Sequence, residues 1–165
     1  MENEKEEILE VKIGNLLRAR GWTLATAESC TGGLIADRIT NIPGSSDYFM
    51  GGIVAYANTV KIQTLGVPAV TIERYGAVSQ ETVLEMARGA RAALRVDLAV
   101  SVSGIAGPGG GLPGKPIGTT WIGLAASDGA WARTFIWDGD RQQNKAYSAQ
   151  AALQFVFDYL TEKLL

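Results

Sequence analysis

The chain contains no histidine and a single cysteine, Cys30. The first absence excludes a Ser–His–Asp relay, a histidine general base and every zinc site that draws on imidazole. The second excludes an internal disulfide and a cysteine-rich metal centre. No run approaches the roughly 18 consecutive apolar residues of a membrane span. The opening MENEKEEILEVKIGNLLRARG carries charges where a signal peptide needs an apolar stretch. Net charge is −2, from 15 basic and 17 acidic residues, so the electrostatic footprint of a nucleic-acid binder is missing. These absences lead us to expect a cytoplasmic protein with no nucleic-acid or membrane partner, no metal and no cofactor. Any general base must be Lys, Tyr, Asp or Glu.

What is present describes a globular domain. Hydrophobic residues make up 47% of the 165 and charged residues 19%, with 20 glycines for tight turns. A chain of this length buries roughly 70% of its unfolded surface and suits one domain, read here as residues 1–165. Ile8, Leu9, Val11, Ile13, Leu16 and Leu17 recur with helical spacing, and Gly21 ends that helix. WTLAT (22–26) reads as a strand, GGLIADRITNI (32–42) as a helix, and MGGIVAYA (50–57) as a buried strand. Asn58 is expected to cap the short helix TVKIQTLG, which Pro68 closes. Ser79 is expected to cap a helix to about Leu94, with Val83, Met86, Ala87, Ala90 and Leu94 inward. A strand follows over 97–104. TTWIGLAAS and WARTFIWD flank DGA as a hairpin, and a last helix runs from Arg141 to Leu164. The fold class is therefore α/β, a three-layer α/β/α domain with a mixed, mostly parallel sheet of about five strands.

Chemistry gathers at the predicted strand ends. TAESCTGG (26–33) places Glu28, Ser29, Cys30, Thr31, Gly32 and Gly33 in a strand-to-helix turn, where open α/β sheets present ligands. Free N–H groups there can stabilise an oxyanion or a phosphate. Ser29 or Thr31 can equally be a plain helix cap, and Cys30 reads as a packed thiol. AYANTVK (55–61) brings Tyr56 to a strand end and Lys61 into a first helical turn, where the helix dipole and burial favour the neutral amine. A neutral lysine can take a serine's proton; an ordinary surface lysine fits the same spacing. IAGPGGGLPGKPIG (105–118) holds six glycines and three prolines. It matches G-x-x-x-x-G-K through Gly109, Gly114 and Lys115, but Pro116 stands where Ser or Thr must meet magnesium, so a nucleoside-triphosphatase loop is rejected. A loop remains whose backbone can approach a ligand, with Ser103 at its entry and Lys115 nearby. In DGDRQQNK (138–145), Asp140 is a cap and Arg141 can hold an anion or simply be solvated.

TAESCTGG, GGIVAYANTVK, GAVSQETV, SVSGIAGPGGG, KPIGTTW and GDR stand in this order over about residues 10–160. Together they resemble the C-terminal domain of the competence-damage-inducible protein family, the nicotinamide mononucleotide amidohydrolases. The resemblance implies hydrolysis of the carboxamide of nicotinamide mononucleotide, as part of pyridine-nucleotide recycling, by a self-associating α/β/α domain. It implies Ser29 as nucleophile and Tyr56 with Lys61 as its activating pair. Glu28, Cys30, Thr31, Gly32, Gly33, Ser103, Gly104, Gly107 and Arg141 stand as substrate contacts, with Glu28 expected to position through hydrogen bonds or the helix dipole. Many family members carry an arginine four positions after the GDR arginine, preceded by an aliphatic residue. Here those positions are Lys145 and Asn144, and a lysine offers phosphate a point charge in place of a fork. Larger family proteins add an N-terminal domain similar to molybdopterin-binding proteins, and this sequence is read as standing without it. The competing readings are a nucleotide-binding module with weak turnover and an oligomerising scaffold.

Overall fold

The computed structural model describes residues 7–164. Five strands form one sheet in the order β2-β1-β3-β4-β5. They are β1 (Leu24–Glu28), β2 (Phe49–Val54), β3 (Leu98–Gly104), β4 (Thr119–Ala126) and β5 (Gly129–Ile136). β2, β1 and β3 pair in parallel, while β4 is antiparallel to both β3 and β5. Four of the five strands therefore point one way and β4 alone runs against them. Helices lie on both faces, as expected. α1 (Leu9–Arg20), α2 (Leu34–Thr40) and α6 (Arg141–Leu160) cover one, and α3 (Asn58–Gln63), α4 (Ala69–Tyr75) and α5 (Gln80–Leu94) the other. Among the described residues no helix is long and apolar enough to cross a membrane.

Several helix ends follow from the residues that mark them. Gly21 takes the left-handed conformation at φ 64° and returns its N–H to Arg18, ending α1. The Ser79 hydroxyl accepts from the N–H of Thr82 at 3.2 Å and starts α5. Asp140 and Gln143 form a reciprocal capping box at the start of α6. The inward residues expected on α5 are buried, with Leu94 half-buried at the margin. The helical periodicity of Ala149, Ala152, Leu153, Val156, Phe157 and Leu160 puts them on the inner face of α6, all buried except a half-buried Phe157.

Other boundaries differ from expectation. β1 starts two residues later than WTLAT implies and runs to Glu28, because Thr23 is held by the Asp97 carboxylate at 2.8 Å and pairing with β2 and β3 continues to Glu28. The strand expected over 50–57 is Phe49–Val54, and it is the sheet's edge: its residues alternate between half-buried and exposed. An apolar run by itself does not separate a central strand from an edge. Asn58 does not cap α3; Ala57 takes the cap position and no side chain bonds there. Helix α4 is absent from the sequence reading, which took Pro68 as a terminator. Proline instead precedes the first turn, where its missing N–H costs nothing. α2 starts at Leu34, after Gly32 and Gly33 at φ 62° and 107°, and α6 stops at Leu160.

Strand alternation divides the core. Leu98, Val100 and Val102 face α1, α2 and α6, while Ala25, Ala27 and Ala99 face α5. The α5 face is small by necessity. The Ser101 hydroxyl donates to the Val83 carbonyl of α5 at 2.6 Å. A Cβ on Gly123 would lie 2.4 Å from that same carbonyl oxygen. Main chain meets sheet there with no room for a methyl group. Gly123→Ala is therefore expected to lower the unfolding free energy by about 2–3 kcal/mol. Gly109→Ala, where a Cβ has no neighbour within 4 Å, is expected to leave it within about 0.5 kcal/mol. Urea denaturation of both variants measures the contrast.

Candidate active site

The three parallel strands end side by side. Glu28 pairs with Val54 on one side and Val102 on the other. The Ser29 N–H continues the ladder to the Val102 carbonyl at 3.0 Å, and the Ala55 N–H bonds the Glu28 carbonyl at 2.8 Å. Ser29, Tyr56 and Ser103 thus emerge at the carboxyl ends of adjacent strands, the edge at which open parallel sheets bind ligands.

The turn after β1 is organised by Glu28. Its side chain is buried and accepts from the Thr31 hydroxyl at 2.7 Å, the Ile35 N–H at 2.8 Å and the Ala36 N–H at 3.1 Å. These N–H groups belong to the first turn of α2, which has no capping side chain of its own: Gly33 stands at the cap. Ser29 and Thr31 are therefore not helix caps. Glu28 reaches forward to do that work, and Thr31 supports Glu28. The carboxylate and its donors lock the six residues between Glu28 and Ile35 into one shape. Glu28 acts by positioning, and it does not line the cleft.

Ser29 meets Lys61. The Lys61 ammonium donates to Ser29 Oγ at 3.1 Å and to the Tyr56 carbonyl at 3.0 Å. Lys61 is 1% exposed, no surface lysine. Burial pulls its pKa below the 10.5 of an ordinary lysine, because removing the ammonium from water penalises the charged form. The Cys30 thiol moves the other way, pushed up to about 12, chiefly by burial. It stays protonated at neutral pH and is no competing nucleophile.

Tyr56 takes part through its main chain. Its carbonyl holds Lys61, whereas its phenol is 62% exposed and accepts from Arg141 Nη2 at 3.2 Å. The tyrosine side chain and Lys61 are not brought together, since β2 ends at Val54 and the chain is already turning into α3. Arg141, the first residue of α6, also donates to the Gly107 carbonyl at 2.7 Å and has no acidic partner within ion-pair distance among the described residues. Asn144, buried on the next turn, donates to the Ala106 carbonyl at 3.0 Å. The helix α6 thus grips the glycine-rich loop at two successive carbonyls. Lys145 has no hydrogen-bond partner among the described residues, and its ammonium stands about 4.0 Å from where a Cβ on Gly32 would be.

A cleft of about 280 Å³ opens over Ser29. Cys30, Tyr56, Lys61, Ser103, Gly104, Gly107 and Arg141 line it, with Asn58, expected only as a helix cap, and Ala77 and Val78. The last two belong to the GAVSQETV motif, but an apolar dipeptide between two helices gives no chemical sign of a place in the site. Ser103 is a largely buried residue that lines this cleft, and its hydroxyl has no hydrogen-bond partner among the described residues. Thr31, Gly32 and Gly33 shape the turn rather than the lining. The N–H groups of Cys30, Thr31 and Gly33 donate to no carbonyl or carboxylate oxygen among the described residues. Lys115 lies outside the cleft, with its ammonium on the Tyr75 carbonyl. A larger hollow of about 580 Å³ sits beside Trp22, Trp131 and Tyr159 at the opposite end of the sheet, and it holds no nucleophile–base pair. Among the described residues no group of three His, Cys, Asp or Glu is placed to hold a metal ion.

The sequence matches the family model for the CinA C-terminal domain over residues 6–160. A CinA-like protein of Chloroherpeton thalassium is 51% identical over 156 residues, covering 92% of this chain and 37% of that protein. One of Chlorobaculum tepidum is 48% identical, covering 95% and 38%. The chain thus spans under two fifths of the curated relatives it matches. Among solved structures, competence damage-inducible protein A (ComA) of Klebsiella pneumoniae superposes with a TM-score of 0.90 at 34% identity, covering 93% of this chain and 95% of that one. Competence/damage inducible protein CihA of Agrobacterium tumefaciens gives 0.89 at 39% identity, covering 93% of each.

The Glu28 network makes a prediction about stability. Glu28→Ala leaves the Ile35 and Ala36 N–H groups and the Thr31 hydroxyl without their acceptor, and is expected to cost about 3 kcal/mol or more. Glu28→Gln keeps one carbonyl acceptor and is expected to cost about half as much. Chemical denaturation followed by circular dichroism separates the two.

Proposed function

The chain belongs to the CinA C-terminal domain family, and from that premise and the cleft geometry we propose that it is a serine amidohydrolase acting on the carboxamide of nicotinamide mononucleotide. The observation that carries the proposal is the buried contact of 3.1 Å between Lys61 Nζ and Ser29 Oγ. A lysine that meets nothing but a serine hydroxyl and a carbonyl has been desolvated without a counter-charge, which favours the neutral amine a general base requires.

The steps follow from the atoms present. In the neutral amine, one N–H stays on the Tyr56 carbonyl and the lone pair faces the Ser29 hydroxyl. Lys61 takes the hydroxyl proton as Ser29 Oγ attacks the amide carbon. The carbonyl oxygen becomes an oxyanion, and the free N–H of Cys30, which lines the cleft, is the donor available to it at this turn. A well-placed donor of this kind is worth about 3–4 kcal/mol in hydrolases. Lys61 then returns the proton to the leaving nitrogen, ammonia departs and an acyl-serine remains. Water attacks the ester, Lys61 again accepts a proton and passes it back to Ser29 Oγ, and nicotinate mononucleotide is released.

Binding has support of its own. Ser103 lines the cleft with the hydrogen-bonding capacity of its hydroxyl unspent. Arg141 carries an uncompensated charge at the rim, with Lys145 beside the turn, and both suit an anionic nucleotide. Self-association of the domain belongs to the same reading, and sedimentation of the purified chain measures it.

Ammonia release from nicotinamide mononucleotide tests the proposal. Ser29→Ala is expected to abolish turnover, and Lys61→Met to lower kcat by at least about 100-fold, both without loss of fold. Because the reactive form of Lys61 is the unprotonated one, and burial lowers its pKa, kcat/KM should rise with pH through a midpoint below 10.5. That rise should vanish in Lys61→Met. A folded protein that binds the mononucleotide with no turnover is instead a binding module. Turnover that survives Ser29→Ala rules out the covalent route.

A further inference from the structure

Lys115 completes the G-x-x-x-x-G-K pattern, yet no step above uses it. Its ammonium donates to the carbonyl of Tyr75, the last residue of α4, at 2.7 Å. Among the described residues this is the one hydrogen bond that joins 108–117 to the α4–α5 side. Both of its ends are braced. Leu112 and Lys115 exchange two main-chain hydrogen bonds of 2.9 Å, which stiffens the tip of the loop. On the other side, the Gly76 carbonyl accepts from the hydroxyls of Ser79 and Thr82 at 2.8 and 2.7 Å. Gly76 itself sits at φ 82°, and a Cβ there would lie 2.9 Å from Lys115 Nζ. The positive φ is what favours glycine there, and the missing side chain leaves Lys115 room beside the main chain.

These contacts flank the cleft. Its lining beyond the Ser29–Lys61 pair comes chiefly from two segments, Ala77–Val78 and Gly104–Gly110. The first begins two residues after Tyr75, and the second leads directly into the loop whose tip carries Lys115. One segment is apolar and the other is rich in glycine, so between them they offer flat surfaces suited to a planar ring. We infer that Lys115 is a positioning residue, a latch that sets the gap between these two walls and thereby how firmly a ring-bearing amide is held before Ser29. The inference rests on the amidase reading and adds to it a determinant of substrate fit outside the cleft.

The test compares Lys115→Met, which keeps the aliphatic stem and loses the donors, with Lys115→Arg, which keeps donors. Kinetics of ammonia release from nicotinamide mononucleotide are measured with hydrogen exchange over residues 105–118 in the free protein and the urea midpoint. In Lys115→Met, KM should rise about five- to tenfold with kcat within about twofold, since a charge-assisted hydrogen bond is lost while the nucleophile and base are untouched. Exchange over 105–118 should quicken with the urea midpoint unchanged, and Lys115→Arg should restore KM most of the way. The latch is overturned if Lys115→Met keeps wild-type KM, if kcat falls in place of a KM increase, or if Arg restores nothing. Should the wild-type protein release no ammonia, the amidase reading falls separately and exchange decides the latch. Unchanged exchange then overturns it, and faster exchange at an unchanged midpoint upholds it.

Discussion

A carboxylate shut away from water has to be satisfied by donors, and the Glu28 side chain finds them one and two turns of chain ahead, at Thr31, Ile35 and Ala36. The arrangement depends on this demand. Glu28 is the last residue of β1, held in register by strands on both sides, so its side chain starts from a fixed point. The N–H groups it accepts from are first-turn donors of α2, which lacks a local cap. Between strand and helix the chain can only loop out, through two glycines in the left-handed conformation. Ser29 is the first residue of that loop, and its orientation is set by a neighbour that does not line the cleft.

Lysine 61 obeys the opposite logic. Its ammonium gains only a hydroxyl and a carbonyl in exchange for its water, a poor bargain for a charge. The outcome is an amine biased toward neutrality, kept in place by the carbonyl of Tyr56. The two buried groups therefore differ in what their surroundings allow. Glu28 receives enough donors to hold position. Lys61 receives too little to remain a comfortable cation, and that shortfall is what the proposed role as a base requires.

The glycine-rich loop is irregular in sequence but well tied in space. Carbonyls at Ala106 and Gly107 are gripped from α6, and Lys115 reaches the end of α4. Main-chain carbonyls are the acceptors in every case: α6 side chains hold the loop's backbone, and the loop's own Lys115 holds the backbone of α4. Close approach of α5 to the sheet, through Ser101 and Gly123, holds the opposite layer at the depth from which Ala77 and Val78 line the cleft.

Much of this was legible in the residues themselves. Absent histidine restricts the base to a few residue types, and the periodicities around Val83–Ala90 and Ala149–Leu160 mark both long helices. Gly21 ends α1, and the caps at Ser79 and Asp140 start α5 and α6, because capping chemistry is local. TAESCTGG and AYANTVK mark the site by their positions at strand ends. What sequence could not decide was anything depending on partners far along the chain. Whether Lys61 is a surface lysine or a buried base turns on its contact with Ser29, 32 residues away. The resemblance pairs Tyr56 with Lys61, and the contact between them is made by the Tyr56 carbonyl, since only the path of the chain after β2 settles which of its groups points inward. Ser29 and Thr31 had the local look of caps, yet the cap is Glu28, seven and eight residues before the N–H groups it holds. Local chemistry is written in neighbouring residues; desolvation and long-range hydrogen bonds exist only once the strands have paired.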